Sequence, residues 1–252
     1  MPGLREETLA LLEGVRRGEV EPGEALDRLV QLPFRELGFA RVDLQREVRQ
    51  GAPEAVLGDG KTPDQVVAIV HAMVDGGAGS VLVTRADAET RAAVRAAVPE
   101  AREHEAARLV WVEQALPEPR GRVTIVSGGT SDGPVVHEAR VRAELLGTTV
   151  AVHEDVGVAG LHRLAAALPD LERADCVVVV AGMDAALASV VGGLVAAPVI
   201  GVPTSIGYGV AEDGRTALNA MLASCAASLA VVGIDDGLGA GTVAARIARG
   251  RV

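Results

Sequence analysis

The second half of the chain alternates short apolar runs with segments of helical spacing. The apolar runs, each typical of a buried strand, lie at residues 122–127, 148–153, 175–181, 198–202 and 229–234. Predicted helices separate them at residues 134–146, 159–168, 184–196 and 213–227. Strands that are apolar throughout indicate a parallel sheet covered by helices on both faces. We therefore predict a doubly wound parallel α/β sheet over residues 120–252.

The first half predicts a smaller α/β domain. Its pattern gives two helices within 4–32, a strand over 37–44, a short strand in the loop-rich segment 49–61, a helix beginning near Thr62 and Pro63, a strand at 80–84, a helix at 87–98 and a strand at 108–113. Thr62 is a suitable N-cap and Pro63 a suitable first helical residue. The Pro117-Glu118-Pro119 break predicts a boundary between domains 1–118 and 120–252.

Composition narrows the class of protein. Hydrophobic residues make up 49% of the 252 residues but aromatic residues only 2%, so small aliphatic side chains must fill the core. The formal charge of −10 argues against a general nucleic-acid binder, which needs a basic face. Two cysteines form no disulfide framework and fit a reducing cytoplasm. We see no signal peptide and no membrane anchor, and expect a cytoplasmic protein.

Ligands of doubly wound sheets bind beyond the carboxyl ends of the strands, where this sequence is rich in glycine and polar residues. The first such loop precedes a helix that Pro134 opens, and its amides and hydroxyls predict a phosphate cradle. Its candidate binding residues are Ser127, Thr130, Ser131 and Asp132. The alternative is an ordinary turn with Asp132 as a helix cap. The spacing is neither a Walker A loop nor a dinucleotide fingerprint.

The later loops supply further candidates for substrate binding: Gly182, Met183, Ser205, Gly207, Tyr208, Gly209, Gly237 and Gly239. Glycine at such positions lets the backbone approach a phosphate or sugar closely. The alternative for Gly237 and Gly239 is a flexible connector or helix start. The histidines show no zinc-ligand spacing, so no metal site is predicted. The sequence also lacks the nucleophile elbow of serine hydrolases.

Three residues stand out by type. Cys176 lies in an apolar strand and is interpreted as structural. Cys225 lies among tiny side chains in the predicted helix 213–227, which indicate either tight packing or room for a flat ring to approach a thiol. Lys61 is the one lysine among 24 basic residues. We predict that it holds an anionic part of a substrate, and a solvated loop lysine is the alternative.

Several of these segments resemble a known family. They are residues 56–62 (VLGDGKT), 181–183 (AGM), 190–194 (VVGGL), 198–205 (PVIGVPTS), 207–209 (GYG) and 220–226 (AMLASCA). They are similar to pyridinium-3,5-biscarboxylic acid mononucleotide synthases, which begin the assembly of the nickel-pincer cofactor of lactate racemase. Residues 120–252 also resemble, more distantly, the aminoimidazole ribonucleotide carboxylase fold.

The resemblance implies a reaction and a set of roles. Nicotinate adenine dinucleotide is carboxylated on its ring by CO2 or bicarbonate, and its phosphoanhydride is hydrolysed to release AMP. The family's nucleophilic cysteine matches Cys225, and its acidic residue, usually Glu, matches Asp184. No tightly bound cofactor is implied, and assistance by Mg²⁺ stays open. The resemblance also implies a homo-oligomer, an octamer in the ribonucleotide carboxylases.

Two other functions stay open from the sequence. One is a ribonucleotide carboxylase of another pathway, which has no need of Cys225. The other is a non-catalytic module that binds nicotinate dinucleotides, which needs the glycine-rich loops but neither Cys225 nor Asp184. A dehydrogenase is disfavoured because the first strand–helix turn lacks the dinucleotide fingerprint.

Overall fold

The structure is a computed structural model that describes residues 4–31 and 34–250. The chain divides into an N-terminal unit, Met1–Leu116, and a C-terminal unit, Pro117–Val252. The division falls beside the proline-rich segment at which the sequence predicts a boundary. In the described part of the chain, no helix has both the length and the apolar character needed to cross a membrane.

The N-terminal unit is a small α/β domain. Its helices are α1 (Leu4–Arg16), α2 (Pro22–Gln31), α3 (Arg46–Gln50), α4 (Pro63–Asp75) and α5 (Ala88–Ala97). Its strands are β1 (Arg35–Glu36), β2 (Arg41–Val42), β3 (Ala55–Leu57), β4 (Ser80–Thr84), β5 (Arg102–His104) and β6 (Leu109–Glu113). A mixed sheet has the order β3-β4-β6-β5, in which only the β3–β4 pair is parallel.

Two local features of this unit bear on the predictions. The Thr62 side chain accepts a hydrogen bond from the Gln65 amide at 3.3 Å, and the Gln65 side chain accepts one from the Thr62 amide at 3.0 Å. This capping box confirms Thr62 as the N-cap of α4.

The single strand predicted over 37–44 is wrong. Gly38 takes a φ of 82°, which reverses the chain and makes a hairpin of β1 and β2.

The C-terminal unit is built on a parallel sheet. Its strands are β7 (Arg122–Ser127), β8 (Thr149–His153), β9 (Cys176–Ala181), β10 (Val199–Pro203) and β11 (Leu229–Val231). Its helices are α6 (Gly133–Leu145), α7 (Leu161–Leu171), α8 (Ala186–Leu194), α9 (Arg215–Leu222) and α10 (Gly237–Arg249). The five strands are parallel in the order β11-β10-β9-β7-β8.

Helices cover both faces of this sheet, so the predicted doubly wound fold is confirmed. Successive side chains of β9 alternate between the two cores. Val177 and Val179 pack with residues of α7, α8 and α9, whereas Cys176, Val178 and Val180 pack with residues of α6 and α10. All five are fully buried, which explains why the strand reads as a continuous apolar run.

The helix predicted over 213–227 is shorter than expected and does not contain Cys225. It ends at Leu222, and Cys225 lies in the loop that leads to β11. The side chain of Ser224 accepts a hydrogen bond from the Ala226 amide at 3.2 Å. Such a local bond offers the backbone an alternative to the helical ladder and thereby favours termination.

Candidate active site

The strand order creates a crevice at the carboxyl edge of the C-terminal sheet. β7 lies between β8 and β9, so the connections that leave β7 and β9 diverge to opposite faces. The loop after β7 contains a short 3-10 helix, Thr130–Asp132, and the loop after β9 contains Gly182, Met183 and Asp184. Two groups of predicted site residues thus flank the topological switch point, where ligands of such folds bind.

Within the loop after β7, the predicted residues divide by exposure. Ser127 is buried, and its hydroxyl donates to the Gly129 carbonyl at 3.1 Å while it accepts from the Asp155 amide at 3.3 Å. Ser127 therefore shapes the loop from within. Thr130 and Ser131 are exposed at its surface, and they are the hydroxyl groups of this loop that a ligand can reach.

Asp132 is a buried carboxylate that connects two loops. Its Oδ2 accepts from the Gly129 amide at 2.9 Å, and its Oδ1 accepts from the Thr204 hydroxyl at 2.7 Å. Burial raises the pKa of Asp132 above its ordinary value, the nearby charge of Asp235 raises it further, and the two hydrogen bonds oppose the shift. Asp132 therefore caps the 3-10 turn through Oδ2, as the alternative expects, and in addition joins the turn to Thr204 through Oδ1.

Asp184 lies in a strained turn between β9 and α8. Met183 and Ala185, on either side of it, have φ values of 53° and 51°, which side-chain-bearing residues seldom adopt. The Asp184 side chain is exposed, and its Oδ1 accepts from the Ala186 amide at 3.2 Å. This bond to the first residue of α8 supports a cap-like role, while exposure at the crevice suits a general base.

The loop after β10 lies against this turn. The Met183 amide donates to the Ile206 carbonyl at 3.0 Å, and a Cβ at Gly182 would overlap that carbonyl. Gly182 thus permits a close approach of two backbones. In the same loop, Ser205 and Tyr208 are exposed, and Tyr208 is 77% exposed.

The remaining glycines of that loop also have conformational roles. Gly209 has a φ of 60°, and a Cβ at Gly207 would overlap the Ala211 carbonyl. Because only glycine fits both demands without strain, the local backbone accounts for these two residues. Contact with a substrate stays a prediction for both of them.

At the start of α10 two successive amides donate to carboxylates. The Gly239 amide donates to Asp236 Oδ1 at 2.7 Å, and the Leu238 amide donates to Glu138 Oε2 at 3.1 Å. Gly237 packs so closely on α6 that a Cβ would meet the Val135 carbonyl at 2.5 Å. A helix start therefore accounts for Gly237 and Gly239, and their contact with a substrate stays a prediction.

The two cysteines have different surroundings. Cys176 is fully buried in β9, and this burial raises the pKa of its thiol to about 12. Cys225 is exposed. The loop of Cys225 packs on α8, because Ser224 Oγ lies 2.7 Å from Ser189 Oγ and the Ala226 methyl group faces Gly192. The Cys225 loop is thus attached to α8, and because it leads into β11 it lies on the amino side of the sheet, whereas Asp184 follows the carboxyl end of β9.

Lys61 lies in the N-terminal unit, in the loop between β3 and α4. Its Nζ donates to the Leu57 carbonyl at 2.9 Å. The neighbouring Asp59 pairs with Arg108 at 2.8 Å. One of the three Nζ hydrogens is used in the observed bond, and the other two suffice for an anion.

Two residues of the edge were missed as candidates from the sequence. Thr204 is fully buried and bonded to Asp132, and Asp235 accepts from the Ser205 amide at 2.8 Å through Oδ1. Their one local signal is their position directly after strand-like runs. Among residues 4–31 and 34–250, no three His, Cys, Asp or Glu side chains cluster as a metal site would require.

Comparison with known proteins assigns both units to described domains. Residues 34–114 match the LarB/PurE-like N-terminal domain, and residues 122–251 match AIR carboxylase. An uncharacterized protein of Methanocaldococcus jannaschii is 35% identical over 250 residues, covering 95% of this chain and 96% of the relative.

Solved structures of PurE proteins are also similar to this chain. Treponema denticola PurE is 23% identical with a TM-score of 0.42, covering 51% of this chain and 80% of that one. A variant of PurE2 from the same organism is 22% identical with a TM-score of 0.40, covering 48% and 76%.

Proposed function

The chain belongs to the AIR carboxylase family and carries the LarB/PurE-like N-terminal domain, and from this membership we propose a specific carboxylation. The proposed substrate is nicotinate adenine dinucleotide. The enzyme adds CO2 to its pyridinium ring and hydrolyses its phosphoanhydride. The products are pyridinium-3,5-biscarboxylate mononucleotide and AMP. The observation that carries the proposal is the combination of these two matched domains in one chain that also presents an exposed thiol at Cys225.

A nucleophile is required because a pyridinium ring is electron-poor and cannot attack CO2. Addition of the Cys225 thiolate to the carbon para to nitrogen forms a C–S bond and leaves a dihydropyridine. The adjacent ring carbon is then part of an enamine, and its electron pair attacks CO2 to form the new C–C bond. Cysteine suits this step because a thiolate is both a good nucleophile and a good leaving group.

Aromaticity returns in two bond-breaking events. The carboxylated carbon loses its hydrogen as a proton, which Asp184 accepts directly or through one water molecule. The electrons of that C–H bond re-form the ring double bond and expel the Cys225 thiolate. The ring gains a carboxylate in place of one proton, and no net oxidation or reduction occurs.

Anion binding is assigned to the exposed hydroxyl groups and to Lys61. Thr130 and Ser131 lie at the carboxyl edge, where they can donate to the phosphates. Lys61 supplies a compact positive charge for a phosphate or carboxylate. Lys61→Ala is expected to raise the Michaelis constant for the dinucleotide with little loss of stability. Unchanged Michaelis constant and turnover contradict this role.

We also propose that the active form is a homo-oligomer, an octamer by resemblance to the ribonucleotide carboxylases. Exposed apolar side chains next to the crevice support an interface there. Tyr208 is 77% exposed and Val210 is 93% exposed, in a loop beside the predicted site. Light scattering that finds only monomers at working concentration contradicts this proposal.

The decisive test is incubation of the full chain with nicotinate adenine dinucleotide and ¹³C-bicarbonate, followed by mass analysis of the nucleotides. We expect a labelled biscarboxylated mononucleotide together with AMP. Cys225→Ser should abolish both ring carboxylation and any thiol–ring adduct. Cys176→Ala, which removes the buried thiol instead, should retain activity.

Two other results select the alternatives. Carboxylation of aminoimidazole ribonucleotide by the Cys225→Ser variant identifies a ribonucleotide carboxylase. Tight binding of nicotinate adenine dinucleotide without any product identifies a binding module.

A further inference from the structure

Asp184 lies in a turn whose backbone conformation is intrinsically unfavourable. Met183 and Ala185 both adopt left-handed conformations, which cost free energy and persist only where the surroundings enforce them. The enforcing element is the loop after β10. Its Ile206 carbonyl accepts from the Met183 amide at 3.0 Å, and the Thr204 hydroxyl lies where a Cβ of Gly182 would approach it to 2.7 Å.

Carboxylates fix that loop at two successive residues. The Thr204 hydroxyl donates to Asp132 Oδ1 at 2.7 Å, and the Ser205 amide donates to Asp235 Oδ1 at 2.8 Å. Thr204 is fully buried and Asp132 is 4% exposed, so solvent does not compete for their bond. A hydrogen bond to an ionised carboxylate is stronger than one between two neutral groups.

We propose that Thr204 is a positioning residue for Asp184. Its hydroxyl, held by Asp132, sets the place of the backbone at Thr204 and Ile206, and the turn of Asp184 is held against that backbone. Asp132 thus acts on Asp184 through Thr204, although 52 positions separate the two carboxylates in the sequence. The inference rests on the proposed function in one respect, namely that Asp184 handles the ring proton.

Thr204→Val tests the inference, because valine keeps the shape and removes the hydroxyl. Misplacement of a catalytic group by a fraction of an ångström to 1 Å lowers the turnover number, and we expect a loss of about 10- to 100-fold. The Michaelis constant for the dinucleotide should change far less. Thr204→Ser restores the hydroxyl and should restore most of the turnover.

Thr124→Val is the matched control. Thr124 is likewise buried in the C-terminal unit, and its hydroxyl donates to the Asp170 carbonyl at 3.0 Å, on a different part of the sheet. This variant loses a buried threonine hydroxyl without touching the chain of contacts to Asp184. An equal loss of turnover in Thr124→Val and Thr204→Val shows a general packing effect and overturns the inference.

A second measurement does not depend on activity. Hydrogen exchange of the Met183 amide reports its bond to Ile206 directly, and it should be faster in Thr204→Val but not in Thr124→Val. Asp132→Asn perturbs the same bond from its other side and should shift this exchange in the same direction, even if Thr204→Val does not fold.

The outcomes separate the two proposals. A wild-type protein that makes no carboxylated product defeats the proposed function, while the exchange rates still decide the role of Thr204. Unchanged Met183 exchange in both Thr204→Val and Asp132→Asn overturns the positioning role.

Discussion

Ser189 Oγ lies 2.7 Å from Ser224 Oγ, which joins the second turn of α8 to the loop that carries Cys225. α8 begins two residues after Asp184, so the same helix follows one proposed catalytic residue and contacts the serine that precedes the other. Ser224 also accepts from the Ala226 amide, and the loop is therefore fastened on both sides of the thiol. The serine pair is expected to matter for turnover because it limits where the Cys225 side chain can lie.

Ser189→Ala should lower the turnover number for ring carboxylation several-fold while the Michaelis constant for the dinucleotide changes little. The change removes the link to Ser224 but keeps the helix, since alanine is the best helix former. Steady-state kinetics of the full-length protein measure both constants. Ser228→Ala is the control from the same loop, because the Ser228 hydroxyl is buried and has no hydrogen-bond partner among the described residues. A loss as large in Ser228→Ala speaks against the anchoring role.

The two thiols should differ sharply in reactivity. Iodoacetamide reacts with thiolates, and burial raises the pKa of Cys176 to about 12, so this residue is almost entirely protonated and inaccessible at pH 8. Cys225 is exposed and should be modified in the folded protein. Peptide mass analysis after timed alkylation gives both rates. Denaturant should remove the difference, and equal labelling without denaturant contradicts the burial of Cys176.

The fold follows from the sequence because strands covered on both faces read as continuous apolar runs, as residues 176–181 do. The candidate site follows in part, because every loop at the carboxyl ends is visibly rich in glycine and polar residues. The role of Thr204 does not follow, since it depends on a hydrogen bond to a residue 72 positions away. The end of α9 was also missed, because the side-chain bonds of Ser224 that favour termination are tertiary as well as local.

The buried carboxylate of Asp132 should make the stability of the C-terminal unit depend on pH. Burial, then the Asp235 charge, raises the pKa of Asp132 in the folded state. Its contribution to the free energy of unfolding is therefore fully present below the ordinary carboxyl pKa of about 3.9 and is lost as the pH rises through the raised value. The stability of wild type relative to Asp132→Asn should accordingly decline as the pH rises from about 4 through the raised pKa.

Amide hydrogen exchange resolved by peptide measures this decline in the unit that carries the change. Asp87→Asn gives a control of opposite sign in the N-terminal unit. The Thr90 amide donates to Asp87 and lowers the pKa of that carboxyl, so its contribution is present above the ordinary pKa and is lost as the pH falls. A flat difference between wild type and Asp132→Asn over this range contradicts the raised pKa.

Close packing of α10 on α6 should make Gly241 sensitive to a single methyl group. A Cβ there would overlap the Ala139 carbonyl and lie 3.0 Å from the Arg142 Cβ. Gly241→Ala is expected to cost about 1–3 kcal/mol of unfolding free energy, as overpacking of a tight interior does. Gly193→Ala in α8 is the control, because a Cβ at Gly193 meets nothing within 4 Å. Urea unfolding measures the free energy of unfolding of both variants. Equal stability of Gly241→Ala and Gly193→Ala would show that α6 and α10 can move apart to accept the methyl group.

Asp184→Asn separates the two roles that the structure leaves open for this residue. Asparagine retains a side-chain oxygen that can accept from the Ala186 amide, so the start of α8 and the stability should change by less than about 1 kcal/mol. It cannot accept the ring proton, so turnover should fall about 10²- to 10⁴-fold if Asp184 is the general base. The carboxylated adduct on Cys225 should then accumulate, because thiolate expulsion waits on proton loss, and intact-protein mass spectrometry can detect it. Near wild-type turnover in Asp184→Asn, with Asp184→Ala destabilised, assigns the residue to the helix start and requires another base.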